Sequence, residues 1–326
     1  MPVIRTILGD ILPEEFGVCD AHEHLIRSSG PELDLNPWYD MSDVEAACEE
    51  LDSYLAAGGK SMVLMDPLGC GRDVPSMLQI AERFRGRAHL VMATGFHKGS
   101  LYDNRSHWSL LYSHGDLVDL LVREVTEGMD RYSYAGPIVE RTSAKAGVIK
   151  AGTSMQAITP FEQNALWLAA DVQKECGACI STHTEMGTMG LETLQFLKEH
   201  GANLEKVVLC HTNKMRDVYY YQRLLDMGAC LAFEGADRPQ WGSEQELANS
   251  ILWLVERGYQ KQILLSMDAG RNVWQAYYMK KRGYIAKGIS YLLTDFVPLL
   301  ETVGISKDAI NDMLVKNPAR VLAIST

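Results

Sequence analysis

The sequence predicts an α/β fold, a closed (β/α)8 or TIM barrel, and three observations carry that expectation. Eight short apolar runs recur along the 326 residues, each followed by a stretch with helical periodicity, which is the alternation a parallel barrel requires. No linker-like run of Pro, Gly and Ser and no low-complexity segment divides the chain. Residues 1–326 therefore read as one domain, with residues 1–16 as a short N-terminal hairpin or cap. Histidine, lysine and aspartate fall at the ends of several apolar runs, the rim where barrel enzymes build their sites. A doubly wound open sheet is the alternative; a solenoid is excluded because the units share no sequence period.

The elements follow in order. Phe16-Gly17-Val18 opens the first strand, which leads into Cys19-Asp20-Ala21-His22-Glu23-His24. A polar segment through Pro31, Asp34, Pro37 and Asp40 precedes a helix over 42–57, with Val44, Ala47, Leu51, Tyr54 and Leu55 at its apolar positions. Ser42 with Glu45 three residues later has the form of a capping box. Further strands are predicted over 61–66, 89–94, 146–150, 179–183, 207–211, 229–234 and 263–268. Helices over about 73–84, 117–130, 160–175, 191–198, 219–227 and 244–256 lie between them, with more helices towards the C-terminus.

Composition narrows the function. A formal charge of −11 argues against a nucleic-acid or anionic-membrane partner, because such binding needs a basic patch, so a small-molecule substrate is expected. The opening Met1-Pro2-Val3-Ile4-Arg5-Thr6 has neither signal-peptide nor transit-peptide character, and no run approaches the roughly 18 apolar residues of a membrane span. A cytoplasmic protein is the expectation. Seven scattered cysteines do not form a disulfide framework. Cys176-Gly177-Ala178-Cys179 spells a CxxC, either a redox pair or half a zinc site, but without a second CxxC it reads as two buried small residues. Gly59-Lys60-Ser61 imitates the end of a P-loop and fails, because Tyr54 stands where a Gly is needed and a strand follows.

In an extended strand, residues two apart point the same way, so His22 and His24 can present two imidazoles to one point, a metal-ligand geometry. A pair of histidines that bind nothing is the plainer reading of an isolated HxH. His183 ends the fifth run, His211 the sixth and Asp268 the eighth. Each alone is ordinary, but four imidazoles and a carboxylate at one rim point to metal. Lys150 ends the fourth run, where it would be partly buried. Burial without a partner favours the neutral amine, which can add carbon dioxide to give a carbamate able to bridge two metals. A solvated strand-end lysine is the alternative.

This set, together with Asp20-Ala21-His22-Glu23-His24-Leu25, residues 147–153 and Asn317-Pro318-Ala319-Arg320-Val321-Leu322, resembles the binuclear metal site of the amidohydrolase superfamily. The resemblance is specifically to its phosphotriesterase family, which also contains lactonases, and it covers essentially the whole chain. It implies that His22, His24 and Asp268 hold the more buried metal and that His183 and His211 hold the more exposed one. Carboxylated Lys150 and a hydroxide would bridge the two. Two divalent cations, zinc first with manganese, cobalt or iron as alternatives, would activate bridging water and polarise a carbonyl or phosphoryl oxygen. Asp268 can also accept the hydroxide proton as a general base. The family often forms dimers, so a homodimer is one expected assembly.

Within the family the chain looks most like a subgroup acting on phosphorylated sugar lactones, through Gly95-Phe96-His97-Lys98, His211-Thr212-Asn213-Lys214 and Asp268-Ala269-Gly270-Arg271. Arg271 and Lys214 could contact a phosphate, and His97 stands where lactonase relatives place a substrate-touching Tyr. Surface charge is the alternative for the two cations, and loop hydrogen bonding for His97. The subgroup is expected to carry a phosphate-binding Lys where this chain has Gln240, so either the substrate carries no phosphate or that contact shifts to Arg238. Tyr219, Tyr220, Tyr221, Trp241 and Trp274 are candidate pocket walls or core packing. The expected function is metal-dependent opening of a small lactone. A phosphotriesterase or phosphodiesterase is the alternative, and an inactive binding protein on the same barrel a further one.

Overall fold

The structure, a computed structural model, describes residues 1–30, 33–34, 36–102 and 107–325; Pro31 of the predicted polar segment lies outside them. An N-terminal hairpin, β1 (Pro2–Thr6) and β2 (Gly9–Ile11), pairs antiparallel, and β11 (Ile324–Ser325) returns to β1. The eight expected strands follow: β3 (Cys19–Glu23), β4 (Ser61–Leu64), β5 (His89–Gly95), β6 (Ala146–Thr153), β7 (Cys179–Thr184), β8 (Val207–Cys210), β9 (Cys230–Phe233) and β10 (Ile263–Leu265). They are parallel and hydrogen-bonded in chain order, with β10 brought back beside β3, so the fold is the (β/α)8 barrel and not the open sheet.

Helices α1 (Val44–Ala56), α2 (Val74–Arg83), α3 (His114–Thr126), α4 (Pro160–Cys176), α5 (Gly190–Glu199), α6 (Val218–Asp226) and α7 (Glu244–Val255) alternate with these strands. Their starts are chemical. Thr159 with Glu162 and Ser243 with Glu246 are reciprocal capping boxes, and Asp73 caps α2 through Ser76 N. The box expected at Ser42 and Glu45 is not formed. Asp43, one residue later, accepts from Glu45 N and Ala46 N, while the Ser42 hydroxyl donates to Asp40; an ionised carboxylate is the stronger acceptor. α3 begins three residues before the expected 117, because Ser113 and Asp116 form a capping box there.

Two apolar layers result. Val63, Val91, Ala93, Val148, Cys179, Val208, Ala232 and Leu264 fill the barrel interior above Ile4 and Phe16. The opposite strand faces meet the helices through residues such as Tyr54, Phe84, Leu166, Tyr221 and Phe233, each buried large side chain contributing about 1.5–3 kcal/mol. None of the seven cysteines forms a disulfide; Cys179 is buried, and Cys176 Sγ donates to Val172 O at the end of α4. Lys60, in the failed P-loop, donates to the carbonyls of Gly86 and Arg87. Among the described residues no helix is long and apolar enough to cross a membrane.

Candidate metal centre

Period-two alternation places Val148 and Cys179 inside the barrel, and therefore also Lys150, Ser181 and His183 two and four residues further on. His22 and His24 have the wrong parity for this, since Cys19 and Ala21 already face inward. A register shift between Asp20 and Glu23 corrects it, as a bulge re-aims the side chains beyond it. His211 and Asp268 are turned by left-handed backbone, φ +68° and +51°. Such conformations are costly for non-glycine residues, so they mark places where the surrounding fold imposes geometry.

The convergence is tight. Asp268 Oδ1 lies 3.5 Å from His24 Nε2 and 3.7 Å from His22 Nε2, and Oδ2 lies 3.7 Å from His211 Nδ1. The His183 ring is centred 4.5 Å from that of His211, and Lys150 is 1 % exposed beside them. Ligands about 2.0–2.1 Å from a tetrahedral ion stand roughly 3.4 Å from one another, so the spacing around Asp268 fits a metal. His22 Nδ1, His211 Nδ1 and Glu234 Oε1 are buried without a hydrogen bond of good geometry and face one another. Among the described residues three clusters of ligand atoms result, His22–His24–Asp268, His211–Glu234–Asp268 and His22–Cys210–Glu234. His183 belongs to none of them, and its Nε2 lies 2.5 Å from Glu185 Oε2.

Electrostatics keeps the donors competent. Burial, and then Lys150, lower His22 to about 3; burial also lowers His183 and His211, so these rings are neutral at pH 7 as metal binding requires. Burial alone would lower His24, but Asp66 raises it. Burial opposes ionisation of Asp268, yet His211, His24 and His22 hold its carboxyl well below the usual range.

Carboxylates that the sequence reading passed over hold this arrangement. Asp66 Oδ1 accepts from His24 Nδ1 at 2.9 Å and from Arg27. Glu234 lies between His22 Nδ1 and His211 Nδ1. The seam between β3 and β10 is closed at this level. Asp268 N donates to His22 O, Met267 N to Asp20 Oδ2 and Ala269 N to Glu23 Oε1 at 2.6 Å. The visible signal was the carboxylate-rich Asp20-Ala21-His22-Glu23 itself; the partners of Asp66 and Glu234 are set by tertiary structure.

A cleft of about 150 Å³ opens on the ligands. His97, Lys98, Lys214 and Arg271 line it, with Trp241 and Trp274 as walls. Arg271 lies against the Tyr39 and Trp274 rings and donates to Tyr39 OH; Lys214 lies over Trp241. Arg238 is not in the cleft lining: it is 3 % exposed, donates to the Asp268 carbonyl at 2.7 Å and lies 3.9 Å from the centre of the Trp274 ring. Gln240 is exposed. The three tyrosines are not walls either. Tyr219 is exposed, Tyr220 OH accepts from Gly190 N, and buried Tyr221 donates to Met215 O.

A parallel barrel with a ligating centre under a cationic cleft defines the class: a metal-dependent hydrolase of the TIM-barrel type. Residues 2–322 match the model of the phosphotriesterase family, and the chain belongs to that family. It is 47 % identical to a phospho-furanose lactonase of Mycoplasmopsis agalactiae, over 98 % of this chain and 91 % of the relative. An amidohydrolase structure from Mycoplasma synoviae superposes with TM-score 0.97 at 42 % identity, covering 99 % of this chain and 92 % of that one. A lactonase structure from Listeria monocytogenes superposes with TM-score 0.90 at 28 % identity, covering 99 % and 100 %.

Proposed function

We propose that the protein opens five-membered sugar lactones carrying a phosphate, giving the phosphorylated hydroxy acid. The observation that carries this reading is the pair of cations beside the ligand cluster. Among the described residues neither Arg271 nor Lys214 has a carboxylate partner, and both line the cleft. Unpaired cations over a hydrolytic centre favour an anionic substrate, and the phospho-furanose lactonase relatives act, by their names, on such compounds.

In this reading His22, His24 and Asp268 would hold one divalent ion and His183 and His211 a second, with Lys150, carboxylated by carbon dioxide, as a further anionic ligand. Zinc suits the nitrogen and oxygen donors best, with manganese, cobalt or iron as alternatives. When bound, the ions supply Lewis-acid polarisation of the carbonyl and acidify water. The chain's own groups do the rest. A water attacking the lactone carbonyl must lose a proton, and ionised Asp268 takes it. The same proton returns to the ring oxygen as the carbon–oxygen bond breaks. His97 Nδ1 accepts from Lys98 N at 2.7 Å, and burial, followed by His183, lowers the ring well below its ordinary value. Its proton therefore sits on Nε2, a donor available to a substrate oxygen. Arg271 and Lys214 orient the phosphate. The domain spans residues 1–326, with the N-terminal hairpin as its cap, and works in the cytoplasm, where phosphorylated sugars are retained by charge.

A pH-indicator assay of zinc- or manganese-loaded protein tests this, using five-carbon lactones with and without a 5-phosphate beside a p-nitrophenyl phosphotriester. A preference of about a hundredfold for the phosphorylated lactone, roughly 2.7 kcal/mol, is expected. Opening of no lactone, or faster turnover of the triester, refutes the assignment.

A further inference from the structure

Beside the ligand set the cleft contains a second polar pair, whose Glu185 also meets His183 Nε2 at 2.5 Å. Lys98 Nζ donates to Glu185 Oε2 at 2.6 Å, and both side chains line the cleft, 23 % and 29 % exposed. Only one oxygen of Glu185 and one of the three ammonium protons are engaged in that bond, so both groups keep hydrogen-bonding capacity.

Each is held in place by its backbone. His97 N donates to Tyr102 OH, Lys98 N to His97 Nδ1 and Gly99 N to Glu162 Oε1. A Cβ at Gly152 would stand 2.9 Å from Lys98 N, so the strand beneath approaches as closely as glycine allows. On the facing side the turn after β7 carries Met186 at φ +55° and Gly187 at φ +75°. A Cβ at Gly187 would meet Thr212 O at 2.8 Å. A non-glycine residue kept left-handed in a cleft-lining turn is the kind of strain that functional sites retain.

Arg271 and Lys214 are cations without a carboxylate partner among the described residues, whereas Glu185 offsets the charge of Lys98, so that this pair is neutral yet offers donors and an acceptor. A second anion there would meet the carboxylate. A sugar hydroxyl both donates and accepts, and so matches an ammonium beside a carboxylate.

We propose that Lys98 and Glu185 form the subsite that reads the ring hydroxyls of the lactone. This rests on the lactonase reading of the site. The test compares a fully hydroxylated five-carbon lactone 5-phosphate with its 2,3-dideoxy counterpart on metal-loaded protein. The wild type is expected to prefer the hydroxylated compound about 10- to 100-fold in kcat/KM, because a site built around a hydroxyl leaves its polar groups unpaired when that hydroxyl is missing. Glu185→Gln and Lys98→Met should each cut that ratio by about fivefold or more. Any loss of support to His183 slows both substrates equally, so the ratio separates recognition from structure, and metal content per chain is measured alongside. An unchanged ratio in both variants, or a wild type that does not discriminate, overturns the subsite while leaving the lactonase reading standing. A protein that opens neither compound overturns both.

Discussion

Replacing Arg271 with alanine isolates the phosphate contact. Its guanidinium is half-buried, 5.0 Å from the Tyr39 ring centre and 4.6 Å from that of Trp274, with Nη2 donating to Tyr39 OH at 3.0 Å. Aromatic faces and a hydrogen bond therefore hold it before substrate arrives, and little ordering cost is left for binding. Hydrogen bonds to charged groups contribute about 1.5–3 kcal/mol. Partial exposure puts Arg271 in the lower half of that range, about 1.5–2 kcal/mol, or roughly 10- to 30-fold in kcat/KM. Steady-state assays of Arg271→Ala on a five-carbon lactone with and without the 5-phosphate should show that loss for the phosphorylated compound only. Turnover of the plain lactone should stay within about twofold. Equal losses on both substrates would mean that Arg271 supports the loop that carries Asp268, and no loss on either would remove it from recognition altogether.

Lys150→Met, which keeps the length of the buried stem, should reconstitute with fewer than two metals per chain by elemental analysis, whereas the wild type in bicarbonate should reach two. Asp66→Asn loosens the partner of His24 and should weaken metal binding by about 10- to 100-fold in a chelator competition. Burial would raise Asp66, but Arg27 and His24 hold it at about 2, below the ordinary 3.8. A depressed carboxyl contributes stability above its unfolded value and loses it as pH falls through the folded one. The Tm of metal-free protein should therefore drop between about pH 4 and pH 2, and Asp66→Asn should melt lower at pH 6 and fall less steeply across that window. Gly95→Ala places a Cβ 2.2 Å from Lys150 O at φ +92°. Overpacking and left-handed strain together should cost about 2–4 kcal/mol in urea unfolding, and an unchanged midpoint would show that β5 and β6 can move apart.

The strand order was legible because each barrel strand is buried on both faces and so appears as an unbroken apolar run. Helix starts were legible where one capping residue dominates, as at Asp73 and Thr159, and were misplaced at Ser42, where Asp43 competes for the same amides. The residue types of the ligand set were readable from their positions at the ends of the runs. Arg238 was not: a cation in a rim loop looks like a substrate contact until the Asp268 carbonyl and the Trp274 ring are seen to occupy it.

What the sequence by itself determined is the alternation of strands and helices, the rim as the place for chemistry, and histidine, lysine and aspartate as its donors. These follow from local hydrophobic periodicity, which needs no knowledge of distant partners. The direction in which the donors point was decided only in three dimensions. The register shift at Asp20–Glu23 turns His22 and His24 inward, left-handed backbone turns His211 and Asp268, and Glu23 reaches across the seam to Ala269, 246 residues away in the chain. Pairing register and backbone strain depend on how the barrel closes, and closure is a property of all eight strands together.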